Sequence, residues 1–432
     1  MLKQISAFRM ALGLGIMTVG QQSIFFVKER LHQGAAFTAA CLILGLVLML
    51  PKGFLTRYFP NNSLLMGFVV SWIAVAFLYM YVNITPFGRQ SLDMFRENSN
   101  YIAAIAFLVT LLNVPETVRR PFILVVVLIT CFSSLLLFYS LLTNPNYIYG
   151  MRATIFYGDG ESGGNPHVAA RNGFAGLIAS VILIKRHNLL LKSLAYFNIC
   201  LSLVSIVLAQ SRMMLLSLMI VAVLFLFFNL RPRTLSQAGK SLAKPSSLFF
   251  YSAIVIGTYF LVVTTPVLDL LVNYATSFWN SFLDAMGTVA GTSEKGDASA
   301  SNRVTSFGFF REVAVGSPGT LFLGAGYKQF YFDVPILEAF YDCGILGFLT
   351  FGGFLVVCTW ECYKVMRRPA DDMSNFLVYF FVPTFIQAFT GGRPFDTSFL
   401  FIFAMYVRFL NADATRTQNQ RATVRQPISQ PA

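Results

Sequence analysis

Apolar runs about as long as a bilayer is thick recur along nearly the whole of this chain, and that recurrence decides most of what it can fold into. A helix needs about 20 mostly apolar residues to cross the hydrocarbon core. On that rule spans are expected at 6–27, 34–50, 63–83, 99–114, 121–143, 168–185, 193–210, 212–230, 247–265, 336–359, 374–390 and 396–410. Charged residues make up only 12% of the chain, against about 25% in soluble domains. The expected fold class is all-α: a polytopic integral membrane protein of about twelve transmembrane helices with one large outer loop.

A formal charge of +13 raises the question of nucleic acid, but the placement of the charge answers it. Basic residues sit in short clusters between apolar runs, as Arg119–Arg120, Lys185–Arg186 and Arg367–Arg368 do, and no soluble domain carries a basic stripe. Cytoplasmic loops concentrate Lys and Arg, so both termini are expected inside and no nucleic-acid partner is expected. Four segments follow: spans one to nine over 1–265 with an outer loop at 144–168, a large outer loop over 266–335, the last three spans over 336–410, and a polar, disordered cytoplasmic tail over 411–432. The N-terminus has a basic start but no small-residue cleavage site, and reads as a retained helix. The six cysteines fall in or beside apolar runs with no C-x-x-C pair, so neither a disulfide framework nor a zinc site is indicated.

The large loop is the longest segment unable to lie in a membrane. Apolar residues from Leu268 to Met286 recur at helical spacing there, which suggests a helix along the interface or an extension of the preceding span. A Gly/Ser-rich centre follows, then Arg303 and Arg311 on Phe-rich flanks, the turn GAGY, and the acids Asp333, Glu338 and Asp342.

With this orientation the outer face collects Arg152, His167, Arg171, Arg212, Arg303, Arg311, Lys328 and Arg393. Arg212 in LAQSRMML lies between two apolar runs, either as a snorkelling helix-end residue or as a charge solvated in a functional cavity. Arg171 begins a helix in NPHVAARNGFAGL, where the dipole disfavours a cation; a pyrophosphate, or Asp159 or Glu161 of the neighbouring loop, resolves that conflict. His167 is open to a general-base role or to a structural hydrogen bond. Glu338 and Asp342 are four apart and share one helix face, with dipole complementation as the plain alternative. Guanidinium groups hold phosphate bidentately, and a carboxylate or imidazole within reach of a sugar hydroxyl takes its proton. That combination suits glycosyl transfer from a lipid diphosphate donor, with no metal and no cofactor required.

Three phrases, in order, carry a resemblance: NPHVAARNGFAGL, AQSRMMLL, and NRVTSFGFFREVAVGSPGTLFLGAGY followed by EAFYDCGILG. From about Asn165 to Gly347 the chain resembles the bacterial O-antigen polymerase and O-antigen ligase superfamily of membrane glycosyltransferases, whose fold is of the GT-C-like type. It also looks like the exopolysaccharide polymerases of xanthan-type gene clusters. The ligases commonly carry a histidine eleven residues before the first glycine of the last phrase; here that position is Asp333, a departure that favours polymerase over ligase. The resemblance implies the bacterial inner membrane and an undecaprenyl-diphosphate-linked oligosaccharide as substrate. It further implies flippase and chain-length or export proteins of the same pathway as partners. Asp333, His167 and Glu338 are then the candidate bases. Arg212, Arg303, Arg171, Arg311, Arg152 and Tyr327 are the candidate substrate-binding residues. A ligase and a lipid-linked oligosaccharide transporter are the alternatives.

Overall fold

The computed structural model describes residues 2–56, 59, 62–82, 91–147, 151–155, 165–186, 188–229, 298–368 and 371–410, and positions 272, 276, 279, 280 and 283. Every regular element among them is helical. The expected ninth span at 247–265, the interfacial stretch from Leu268 to Met286 apart from those isolated positions, the acidic loop around Asp159 and Glu161, and the tail from 411 lie outside the described residues.

The helices are α1 (Leu2–Val19), α2 (Gln21–Arg30), α3 (Ala35–Met49), α4 (Ser63–Val82), α5 (Ser91–Asn113), α6 (Arg119–Thr143), α7 (Pro166–Leu183), α8 (Leu189–Ala209) and α9 (Arg212–Asn229). After the large loop come α10 (Ala298–Gly316), α11 (Pro318–Leu323), α12 (Pro335–Gly347), α13 (Gly353–Arg367), α14 (Asp372–Thr390) and α15 (Thr397–Phe409). Among the described residues, five helical segments are long and apolar enough to cross a membrane: Ser63–Val82, Glu116–Thr143, Leu189–Ala209, Pro335–Arg367 and Asp372–Thr390. The bent pair α1–α2 makes a sixth if it is one span. Among the described residues the other expected spans are shorter or carry charge; α3 and α15 have 15 and 13 residues, and α5 opens on Asp93, Arg96 and Glu97.

The expected single span over 6–27 is broken. α2 leaves α1 at 75°, at Gly20. A Cβ at Gly20 would lie 2.6 Å from the Ile16 carbonyl oxygen, so only glycine fits the bend. The polar residues that follow are taken up by α6: Gln22 is buried and its amide donates to the Ser133 carbonyl at 3.4 Å, while the Ser23 and Ser133 hydroxyls are 2.5 Å apart.

One continuous apolar core joins the two ends of the sequence. Its centre is aromatic: Trp72 of α4 stacks on Phe395 with ring centroids 5.4 Å apart, and Phe354 of α13 on Phe403 of α15 at 3.9 Å. Some polar side chains inside it link neighbouring helices. Asn198 of α8 donates to Thr130 Oγ1 of α6 at 3.1 Å and to Ser180 Oγ of α7 at 3.0 Å, which fixes these three helices relative to one another.

Candidate functional site

Two of the sequence phrases meet at the start of α7. Asn165 caps that helix, its side chain accepting the His167 N–H at 2.9 Å, with Pro166 at the first helical position. Asparagine satisfies an orphan N–H there and proline sets the backbone for the first turn. The His167 ring then meets the AQSR phrase: Nδ1 is 2.9 Å from Ser211 Oγ. Ser211 occupies the turn between α8 and α9, made possible by the left-handed Gln210 at φ 48°. Arg171, four residues after His167, lies on the same face of α7.

The third phrase folds on a pair of glycines. Gly344 (φ 64°) interrupts α12, and the carbonyls of Tyr341 and Asp342 accept the N–H groups of Ala325 and Gly326 at 2.8 and 3.0 Å. A Cβ at Gly344 would come within 2.4 Å of the Phe322 carbonyl oxygen, and one at Gly324 within 2.5 Å of that of Asp342. GAGY and CGILG are therefore two sides of one close backbone crossing. That crossing delivers Tyr327 and Lys328 to α5. The Tyr327 hydroxyl donates to Glu97 Oε2 at 2.8 Å, and Lys328 Nζ lies 2.5 Å from Glu97 Oε1. It also sets Asp333 just ahead of α12. Arg303 Nε of α10 is 3.6 Å from Asp333 Oδ2, and Arg303 Nη2 donates to the Thr390 carbonyl at 2.9 Å.

These helix ends surround a partly open cavity of about 520 Å³, within the range of small-molecule sites. Four of the expected residues line it: His167, Arg171, Arg303 and Asp333. Tyr327 does not; it is buried beneath, with its hydroxyl also 3.2 Å from that of Tyr101. Glu338 does not either. It is fully buried on α12, paired with Arg393 Nε at 2.6 Å and accepting the Phe332 N–H at 3.3 Å. Both its oxygens are engaged, which makes it a brace rather than an open base. Arg212 starts α9, half-buried, while its neighbours Met213 and Met214 line the cavity. Arg311 is exposed on α10, away from the lining, and Arg152 is exposed near enough for its charge to act on His167.

Sequence reasoning missed Asp396, Gln21 and Gln387, which line the cavity, and Glu97, which anchors Lys328. Asp396 stands just before α15, and its Oδ2 accepts the Arg393 N–H at 3.0 Å. The Gly391–Gly392 turn joins the two carboxylates of the lining: a Cβ at Gly391 would lie 3.7 Å from Asp333 Oδ1, and one at Gly392 would lie 3.6 Å from Asp396 Oδ2.

Burial lowers the His167 pKa, and the charges of Arg152 and Arg303 add to the effect, so the imidazole is neutral at neutral pH and open to a proton. Burial raises the Asp333 carboxyl above the ordinary aspartate range, opposed by Arg303 and by the Tyr331 hydroxyl at 3.4 Å. Among the described residues the cavity lining thus offers three proton acceptors, His167, Asp333 and Asp396, beside two guanidinium groups and an ammonium. Among the described residues no group of three or more His, Cys, Asp or Glu is arranged to hold a metal ion. No protein-family model matches this chain, and no curated protein sequence matches it.

Proposed function

We propose that this chain polymerises lipid-linked oligosaccharide repeat units into an exopolysaccharide, at the periplasmic face of a bacterial inner membrane. A hydroxyl oxygen of the incoming unit attacks the anomeric carbon of the growing chain. The new C–O bond forms as the bond from that carbon to the diphosphate breaks, and the electron pair leaves with undecaprenyl diphosphate. The hydroxyl proton passes to Asp333, with His167 as the second candidate. Cations of the cavity wall neutralise the departing charge.

The observation that supports this reading is the cavity itself. His167 and Arg171, Ser211, and Arg303 and Asp333 come from three separate phrases of the chain and meet at one set of helix ends. A general base beside phosphate-binding cations is what the reaction requires. Two helical segments long and apolar enough to span a membrane border the site, one ending at Thr390 and one starting just after Asp333, which suits a lipid-anchored donor.

The test is a deletion strain complemented with wild type or Arg303→Ala, followed by analysis of lipid-linked saccharides. Single repeat units accumulating at the periplasmic face of the Arg303→Ala strain, with polymer restored by wild type, is the expected result. Long lipid-linked polymer would instead mean a ligase, and single units held at the cytoplasmic face a transporter.

A further inference from the structure

Among the described residues three cations line the cavity: Arg171, Arg303 and Lys328. Two of them face acids at close range, Arg303 with Asp333 at 3.6 Å and Lys328 with Glu97 at 2.5 Å. Arg171 differs. A guanidinium carries five N–H donors. Among the described residues the one hydrogen bond that Arg171 makes runs to the Gln21 side-chain oxygen at 3.4 Å, long for such a bond. The acid whose charge reaches it is Asp396, which also faces Lys328 and Arg393.

Gln21 is the first residue of α2, beyond the 75° bend, and it lines the cavity. The first N–H groups of a helix have no partner inside it, and Gly20 brings no side chain to cap them. The start of α2 therefore presents the positive end of a ten-residue helix. Next to Arg171, Asn172 is 6% exposed, and neither its amide nitrogen nor its oxygen has a hydrogen-bond partner. It faces a side pocket of about 10 Å³ that shares Gln21, Val168 and Arg171 with the main cavity.

An under-matched guanidinium, a helix start and an unpartnered amide share one complement, an oxyanion. We propose that the start of α2 and Arg171, with Asn172 in the side pocket behind them, form the anchoring site for a phosphate oxyanion in the main cavity. Arg303 is then held chiefly as the partner of Asp333. The identification of the anion as part of a lipid diphosphate rests on the polymerase reading; the oxyanion site itself does not.

The probe is inorganic pyrophosphate, titrated calorimetrically into the full-length protein in phosphatidylcholine nanodiscs. Wild type is expected to bind saturably. Arg171→Gln should weaken binding at least about tenfold, and Arg303→Gln by no more than about threefold. Gln21→Glu guards against a misfolded Arg171 variant. A carboxylate in the first turn of α2 stabilises that helix and sets an anion against Arg171. This protein should melt no lower than wild type and still bind pyrophosphate poorly. Absence of saturable binding to wild type, an equal loss in Arg303→Gln, or unchanged binding in Gln21→Glu overturns the proposal. In phosphatidylglycerol nanodiscs pyrophosphate should still bind; if anionic lipid alone displaces it, the occupant is a phospholipid headgroup and the diphosphate assignment fails. Binding that depends on Arg171, in a protein that makes no polymer, would leave this site standing and remove the polymerase reading.

Discussion

The two ends of α14 handle charge in opposite ways. The helix has 19 residues, which sets its ends about 28 Å apart. At its start, cations and acids close into a network. Arg408 is fully buried, 2.5 Å from Glu116 Oε1 and 2.6 Å from the Val114 carbonyl, between the rings of Phe59 and Phe409. Arg119 bridges Glu116 and Asp371, the latter at 2.7 Å, and Arg186 reaches Asp372 at 3.3 Å. At its other end lies the cavity, where Arg171 has little more than a glutamine oxygen. Removing an ion from water costs several kcal/mol. The first network offsets that cost within the protein; on the proposed reading, the other end leaves part of the cost at Arg171 to be met by a ligand.

The largest expected effect tests the closed end. Glu116→Ala removes the acid partner of the buried Arg408 guanidinium; with half of the Glu116 side chain exposed, it should destabilise the protein by about 1–3 kcal/mol, seen as a lower melting temperature in detergent. An unchanged melting temperature would mean that the network holds nothing together. At the open end the expectation inverts. Arg171→Gln should melt close to wild type while polymer formation falls by about 10²-fold or more, as when a preorganised partner of the developing charge is lost. A drop in melting temperature as large as that of Glu116→Ala would erase the distinction.

Asp333→Asn comes next. Loss of a general base costs about 10²–10⁴-fold in rate, with protein levels and pyrophosphate binding maintained. In wild type the base must be deprotonated, so the rate should climb with pH through the raised Asp333 pKa and then level off.

Much of this arrangement was legible in the sequence, for reasons that particular residues make plain. Asn165 and Pro166 fit a helix start, and GAGY a glycine turn, because each obeys a local rule; the crossing of that turn with Gly344 is visible only in the fold. His167, Arg171, Arg303 and Asp333 stood out as charges or bases beside apolar runs. The break at Gly20 did not: the apolar run continues past it, and only the crowding against Ile16 and the uptake of Gln22 and Ser23 by α6 reveal the bend. Glu97 carries no spacing signal, since its partner Lys328 is 231 residues away, and Asp396, which accepts the Arg393 N–H three residues back, reads as an ordinary turn residue ahead of a helix. Glu338 looked like a base because its partner Arg393, 55 residues on, is brought to it only by the fold.

The smallest effect decides which group of the open end takes the proton. The Tyr331 hydroxyl donates to Asp333 Oδ1 and favours the charged carboxylate. Tyr331→Phe removes that donor, so the Asp333 pKa rises further and the acidic limb of the pH–rate profile moves up, by less than about one pH unit for a single long hydrogen bond. The His167 limb answers to a different neighbour. Arg152 disfavours the imidazolium, so Arg152→Gln lets the His167 pKa rise and moves a histidine-controlled limb upward. The two substitutions therefore move different limbs. A profile that shifts with Tyr331→Phe and not with Arg152→Gln assigns the base to Asp333. The reverse pattern assigns it to His167, and leaves Asp333 as the partner that steadies Arg303.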